Sequence, residues 1–66
     1  MNTYLIRYHT PAGMECYDSE DATNQIAAIN RFRERRPNLS WFCVKTRAGW
    51  DQYRVTADGY VREFQA

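Results

Sequence analysis

Residues 19–37, SEDATNQIAAINRFRERRP, decide the fold because their apolar residues recur with a helical spacing. Acids and Ser at the start supply candidate N-caps, for which we consider Asp18, Ser19 and Asp21. Arginines crowd the last turns, and Pro37 ends the stretch. At 100° per residue, the arc that we expect to face a sheet contains Ala22, Gln25, Ile26, Ala28, Ile29 and Phe32.

The segments on either side of this helix are typical of short β-strands. Residues 4–9 alternate apolar and polar side chains, residues 10–13 contain a Pro-Ala-Gly turn, and residues 14–17 return as a second strand. After the helix, residues 39–46 are dense in aromatic and β-branched residues. In that strand Trp41, Cys43 and Lys45 share one face, and Phe42, Val44 and Thr46 share the other.

The C-terminal part predicts a hairpin. Residues 47–51 are interpreted as a loop, followed by strands at 52–56 and 60–64. Residues 57–59 join these strands, and within them Asp58-Gly59 would form a two-residue turn. The pairs predicted from this turn are Tyr53 with Phe64, Val55 with Arg62, and Arg54 with Glu63.

These elements give one α+β domain over residues 1–66, in the order ββαββ(β). A single helix packs on one face of a four- to five-stranded, mainly antiparallel sheet. The far face then has nothing in the chain to cover it, which is the first indication of where function lies.

Composition excludes several classes of protein. The chain is 44% hydrophobic and 26% charged, which is typical of a globular domain, and ten aromatic residues supply a core for its 66 residues. A net charge of +1 gives no general attraction to nucleic acid or membrane. We expect a cytoplasmic protein without a membrane segment or leader, whose thiols are reduced; a Cys16–Cys43 bridge is the alternative.

The arginines at the helix end form the first candidate site. Arg residues bind phosphate bidentately, so RFRERR could be a nucleic-acid stripe. The helical wheel argues against one stripe, because Arg31 and Arg35 share the outer face while Arg33 and Arg36 point toward the sheet rim. Complementation of the helix dipole at a solvated helix end is the favoured explanation of the cluster. Arg31 and Arg35 are kept as an alternative basic site.

Basic residues interleaved with aromatic ones along the strands form the second candidate. They are Arg7, Lys45, Arg47, Arg54 and Arg62. Sheets of this composition bind single-stranded nucleic acid by stacking, but a small core also needs its aromatic residues. The sequence contains no RNA-recognition signature.

Trp50 is the third candidate. It lies in the predicted loop beside Asp51, and Trp is the residue most enriched at binding hot spots. The alternative is that Trp50 folds over a sheet edge as part of the core. If Trp50 is a binding residue, Trp50→Ala weakens partner binding and leaves the fold intact.

Catalytic, metal and cofactor sites are not predicted. His9, Cys16 and Cys43 lack metal-ligand spacing, and a Cys16–His9 pair would have no orienting third group. The acids at residues 15–21 lack a calcium-loop pattern. We therefore expect a protein that is not an enzyme.

The layout of the whole chain resembles several small phage-encoded inhibitors, among them anti-CRISPR proteins and inhibitors of host RNA polymerase. The shared features are size, element order and a free sheet face, and no motif takes part. The resemblance implies a stoichiometric inhibitor that blocks a host protein or nucleoprotein complex.

The leading hypothesis is a non-enzymatic protein-binding module. Its predicted contact regions are the open sheet face, the Trp50 loop and the acidic edge at residues 15–21. A small nucleic-acid-binding domain and a self-associating protein that forms a homodimer are the alternatives. The candidate partner-binding residues are Arg7, Glu15, Asp18, Glu20, Asp21, Lys45, Arg47, Trp50, Asp51 and Arg54.

Overall fold

A computed structural model of the protein describes the backbone of residues 1–65 and the side chains of residues 1–63. The elements follow in the order ββαβββ. They are β1 (Asn2–His9), β2 (Glu15–Ala22), α1 (Gln25–Arg35), β3 (Trp41–Thr46), β4 (Gly49–Thr56) and β5 (Gly59–Gln65). The strands form one antiparallel sheet in the order β2-β1-β3-β4-β5, and α1 packs on one face of it. The predicted α+β class and the single helix on one sheet face are confirmed.

The core lies between α1 and the sheet. Alternate residues of the strands face the helix, and Phe42 at the centre packs against both Phe32 and Tyr53, each with ring centroids 5.4 Å away. The buried cluster consists of Ile6, Tyr8, Ile29, Phe32, Phe42, Val44 and Tyr53. These are mostly aromatic and branched residues, as a domain of this size needs in order to bury enough apolar surface.

The helix is shorter than predicted. β2 continues through Ala22, so the predicted N-caps Asp18, Ser19 and Asp21 are strand residues. Asn24 is the actual N-cap, and its side-chain oxygen accepts a 2.8 Å hydrogen bond from the backbone N–H of Ala27. Local propensity favoured a helix start at the acids, but pairing of residues 15–22 with β1 prevails.

This later start rotates the sheet-facing arc. Ala28, Ile29 and Phe32 are buried as predicted, but Ile26 is 64% exposed and does not face the sheet. Gln25 does face it, because its amide Nε2 donates to Tyr53 Oη at 2.7 Å and to Asp51 Oδ2 at 3.0 Å.

The last hairpin has a different register from the predicted one. Thr56 pairs with Gly59, so Ala57 and Asp58 form the turn. A type I′ turn over Asp58 and Gly59 needs positive φ at both residues, but only Gly59 has it, at 146°. As a result Val55 opposes Tyr60, and Arg54 opposes Val61.

The predicted Tyr53–Phe64 and Val55–Arg62 pairs are therefore wrong. Tyr53 opposes Arg62, and a register shift then brings Gln52 opposite Phe64. The side chain of Phe64 lies outside the described part of the structure. The direct pairing of Arg54 with Glu63 is also wrong, yet their side chains still form an ion pair at 3.6 Å.

Candidate binding face

The side of the sheet opposite α1 is called the uncovered face. Its residues alternate with the core residues along every strand and lie next to one another across the paired strands. The aromatic, basic and central residues of this face, with their neighbours, are Leu5, Arg7, His9, Tyr17, Trp41, Cys43, Lys45, Trp50, Gln52, Arg54 and Val61. Leu5, Tyr17 and Val61 are at least 40% exposed, so this side of the molecule presents apolar surface to solvent.

Four of these residues form a contiguous group, which we call the Trp50 cluster: Arg7, Tyr17, Lys45 and Trp50. The guanidinium carbon of Arg7 lies 4.7 Å from the ring centroid of Trp50, and Lys45 Nζ lies 5.4 Å from it. The Tyr17 ring is 6.4 Å from the same indole. Two cation–π contacts thus hold Trp50 at the centre of the face.

Beneath this cluster lies the thiol of Cys43, which is only 1% exposed although it belongs to the uncovered face. Arg7 Nη2 donates to the sulfur at 3.8 Å, and the thiol in turn donates to Gln52 Oε1 at 3.9 Å. The middle of the uncovered face is therefore packed and fixed in shape.

At this centre Arg7 is a cation without an ion-pair partner among the described residues. Its pKa lies above the ordinary value because of the hydrogen bond to Cys43, which outweighs burial. Its Nε is buried without a hydrogen-bond partner, and no carboxylate of residues 1–63 lies within ion-pair distance of Arg7 or Lys45. Neither cation therefore has its charge paired with a carboxylate within residues 1–63.

Glu15 and Arg54 on the rim of the uncovered face have polar partners within the chain. The His9 ring packs at a tilt against Trp41 with ring centroids 4.7 Å apart, and its Nε2 lies 3.9 Å from Glu15 Oε1. The other oxygen of Glu15 accepts from Tyr17 Oη at 3.2 Å. On the β4–β5 side, Arg54 is paired with Glu63.

Two predictions about the Trp50 region are wrong. Residues 49–51 belong to β4, so Trp50 is a half-buried strand residue and not part of a loop. Asp51 points to the helix side and is 5% exposed. There its carboxylate accepts a hydrogen bond from Gln25 and lies 3.4 Å from Arg62 Nη2. Asp51 and Arg62 therefore lie on the helix side and are not part of the candidate site. Gly49 pairs with Thr46 at the start of β4, so the strand already includes Trp50 and Asp51.

The acidic edge is split between the two faces of β2, which is an edge strand of the sheet. Glu15 and Asp21 lie on the uncovered side, where Asp21 accepts from Thr3 Oγ1 at 2.6 Å. Asp18 and Glu20 lie on the helix side and both bind Arg35. They are structural partners of the helix end and do not belong to one acidic surface.

Asp18 has a perturbed pKa. Burial acts to raise it, but hydrogen bonds from Arg35, from the backbone N–H of Ser19 and from Arg36 together outweigh burial and hold the pKa below the ordinary value. Asp18 is therefore ionised wherever an ordinary Asp is, and it remains so at lower pH.

The helix-end arginines do not form one patch. Arg33 lies over the Tyr60 ring and Arg36 over the Tyr8 ring, at 5.2 and 5.0 Å, as expected for stems on the sheet rim. The prediction that Arg35 points outward is wrong because the extended β2 brings Asp18 and Glu20 beneath it. Arg31 is exposed, and Arg47 lies in the β3–β4 turn.

Both cysteines are free. Tyr8 pairs with Cys16 and Arg7 with Cys43, which places the two thiols on opposite faces of the sheet. The same alternation separates Cys16 from His9, which excludes a Cys–His pair. Among the described residues there is no group of three metal-ligating side chains, and no helix there is long and apolar enough to cross a membrane.

Residue-by-residue reasoning overlooked Leu5, Tyr17, Trp41 and Val61 as members of the site. Strand alternation already placed Trp41 with Lys45, and Tyr17 would have followed from a full-length β2.

No protein-family model matches the chain, and no curated protein and no solved structure matches it significantly.

Proposed function

We propose that this protein is a non-enzymatic protein-binding module that contacts its partner with the uncovered face. The observation that carries the proposal is a sheet face without a helix, which contains the packed Trp50 cluster and on which Leu5, Tyr17 and Val61 are exposed. A fixed aromatic centre with an apolar and polar surround is the composition of a protein-binding hot spot.

The wider biological role follows the resemblance in layout. We propose a cytoplasmic inhibitor, of phage or mobile-element origin, that blocks a host nucleic-acid-handling complex by occupying a surface. The supporting observations are the small size, the free face and the free thiols of Cys16 and Cys43.

A matched pair of variants tests the use of the uncovered face. Leu5→Glu places a charge on that face, and Ile26→Glu places the same charge on exposed apolar surface of the helix. Wild type and both variants are used as baits for affinity capture, and each captured protein is purified and titrated by calorimetry. We expect direct binding by wild type and Ile26→Glu, with a loss of at least about tenfold for Leu5→Glu. Equal binding by both variants would refute the proposal.

Single-stranded nucleic acid is the second candidate ligand, because Arg7, Lys45 and Arg54 share a face with three aromatic rings. Against it, the Trp50 ring is already engaged by two cations, and Arg54 is neutralised by Glu63. A salt titration with a dT12 oligonucleotide distinguishes the candidates. Affinity that falls log-linearly with salt favours nucleic acid, and absence of binding at low salt eliminates it.

A further inference from the structure

The geometry points to a carboxylate-binding site on the uncovered face, formed by Arg7 and Lys45 over Trp50, that receives an acidic side chain of a protein partner. The inference rests on the proposed function and specifies its partner: a segment in which one or two carboxylates are flanked by apolar residues.

Arg7 is the central group of this site. A guanidinium that lies over an indole can present its terminal N–H groups to a planar acceptor, and the contact with the ring restricts its orientation in advance. The hydrogen bond that Arg7 Nη2 donates to Cys43 Sγ is long, at 3.8 Å, and no carboxylate of residues 1–63 forms an ion pair with the guanidinium. A neutral sulfur satisfies a guanidinium poorly, so a carboxylate gains more here than at a paired surface arginine.

Lys45 supplies the second charge. It lies on the strand next to Arg7, its Nζ is 5.4 Å from the centroid of the same indole, and its side chain is exposed. Two cations that converge on one ring and lack a carboxylate partner within residues 1–63 create a local positive potential, although the chain has a net charge of only +1. The matching ligand group is a compact anion.

The surroundings of the site favour a peptide carboxylate over a nucleic-acid backbone. A polyanion needs a row of cations to neutralise successive phosphates. Here Glu15 and Asp21 border the site on β2, and Arg54 on the far side is paired with Glu63. Exposed Leu5 and Tyr17 lie beside the two cations, so the space next to the carboxylate is apolar.

The test measures fluorescence of the protein's tryptophans during titration with a capped octapeptide in which Glu and Leu alternate. A Gln–Leu octapeptide of the same length is the neutral control for the ligand, and dT12 is the nucleic-acid comparison. The variants are Arg7→Gln, Arg7→Lys and Lys45→Gln. Arg31→Gln is the matched control, since it removes one exposed cation from the helix.

We expect the Glu–Leu peptide to bind and the Gln–Leu peptide to bind at least about tenfold more weakly. A charge-assisted hydrogen bond predicts a loss of roughly tenfold to a hundredfold for Arg7→Gln, less for Arg7→Lys and Lys45→Gln, and none for Arg31→Gln. Circular dichroism of each variant verifies the fold. Arg7→Lys, which retains the stem and the charge, is used if Arg7→Gln does not fold.

Three results would overturn the inference: equal binding of the Glu and Gln peptides, an equal loss for Arg31→Gln and Arg7→Gln, or binding of dT12 without binding of the acidic peptide. Failure of the site is distinguishable from failure of the proposed function. A captured partner that is lost with Leu5→Glu but retained with Arg7→Gln supports the binding face and refutes the carboxylate site.

Discussion

The two faces of the sheet use the same kinds of residue in opposite ways. On the helix side, Phe42 and Tyr53 are buried among other rings, and the charges of Asp18, Glu20 and Asp51 have partners. On the uncovered side, Trp50 is only half-buried, and the cations above it lack carboxylate partners among residues 1–63. Aromatic content alone therefore does not distinguish core from binding surface. The burial of the central rings does: Phe42 and Tyr53 are buried, and Trp50 is not.

The largest effect is expected from removing the central ring of the helix side. Phe42→Ala leaves a cavity among Phe32, Tyr53 and Tyr60 and should lower the free energy of unfolding by about 3–5 kcal/mol. Chemical denaturation measures this change. A domain of this size has little stability to spare, so partial unfolding in buffer agrees with the account, and a loss below about 1 kcal/mol contradicts it.

Trp50→Ala removes the central ring of the uncovered side. Because Trp50 is half-buried and lies outside the main core, we expect a smaller loss of about 1–3 kcal/mol. The same denaturation experiment compares the two variants directly. If Trp50→Ala costs as much as Phe42→Ala, the uncovered face is a second core and the distinction between the faces fails.

Arg35→Gln tests the charges of the helix side. It leaves Glu20, which is 9% exposed, without its cation, and it also removes one partner of Asp18. Since Arg35 itself is 45% exposed, the loss should be modest, about 1–2 kcal/mol in denaturation. Lys45 on the other face has no carboxylate partner within residues 1–63, so Lys45→Gln should leave stability nearly unchanged. Equal losses of stability in Arg35→Gln and Lys45→Gln would contradict the difference between the two faces.

The stability of the protein at acid pH should depend on the ion pairs that Asp18 forms with Arg35 and Arg36. The pKa of Asp18 is lowered in the folded protein, so its contribution is fully present above the unfolded pKa of about 3.9 and is lost as pH falls through the lower folded value. We expect the pH dependence of unfolding between pH 4 and pH 2 to become shallower in Asp18→Asn. An unchanged slope would show that Asp18 does not contribute to it.

Ile26→Ser should have the smallest effect. Ile26 is 64% exposed, and truncation of an exposed residue away from caps and cores changes stability by at most about 0.5 kcal/mol. Ile29→Ser, three residues later and fully buried, is the control that should destabilise strongly. Thermal unfolding of the pair checks whether the helix has the rotation described.

Local patterns predicted much of the fold: β1, β3 and the strands of the last hairpin, the helix around Ile29 and Phe32, and the alternation of Trp41 and Cys43. They failed where a distant partner decides. Residues 18–22 carry acids suited to a helix start, but they lie in β2 because they pair with β1. Asp18 and Glu20 then bind Arg35 at the end of the helix. The pairing of Gly49 with Thr46 extends β4 through Trp50 in the same way.

The location of the candidate site was predictable as a sheet face, but its composition was not. The side to which Asp51 and Arg62 point depends on where β4 and β5 begin and shift register, which is set by pairing across the sheet. The same holds for Tyr17, because β2 was predicted too short.

The central claim is that the partner contacts the face away from the helix, and the chain contains its own reporters for it. It has two tryptophans, Trp41 and Trp50, and both lie on that face. Fluorine NMR of protein labelled with 5-fluorotryptophan therefore observes the uncovered face alone. On addition of a captured partner, we predict that the Trp50 resonance shifts or broadens, and that Leu5→Glu abolishes this change while Ile26→Glu does not. Two unchanged resonances in a complex shown by calorimetry to be saturated would contradict the claim.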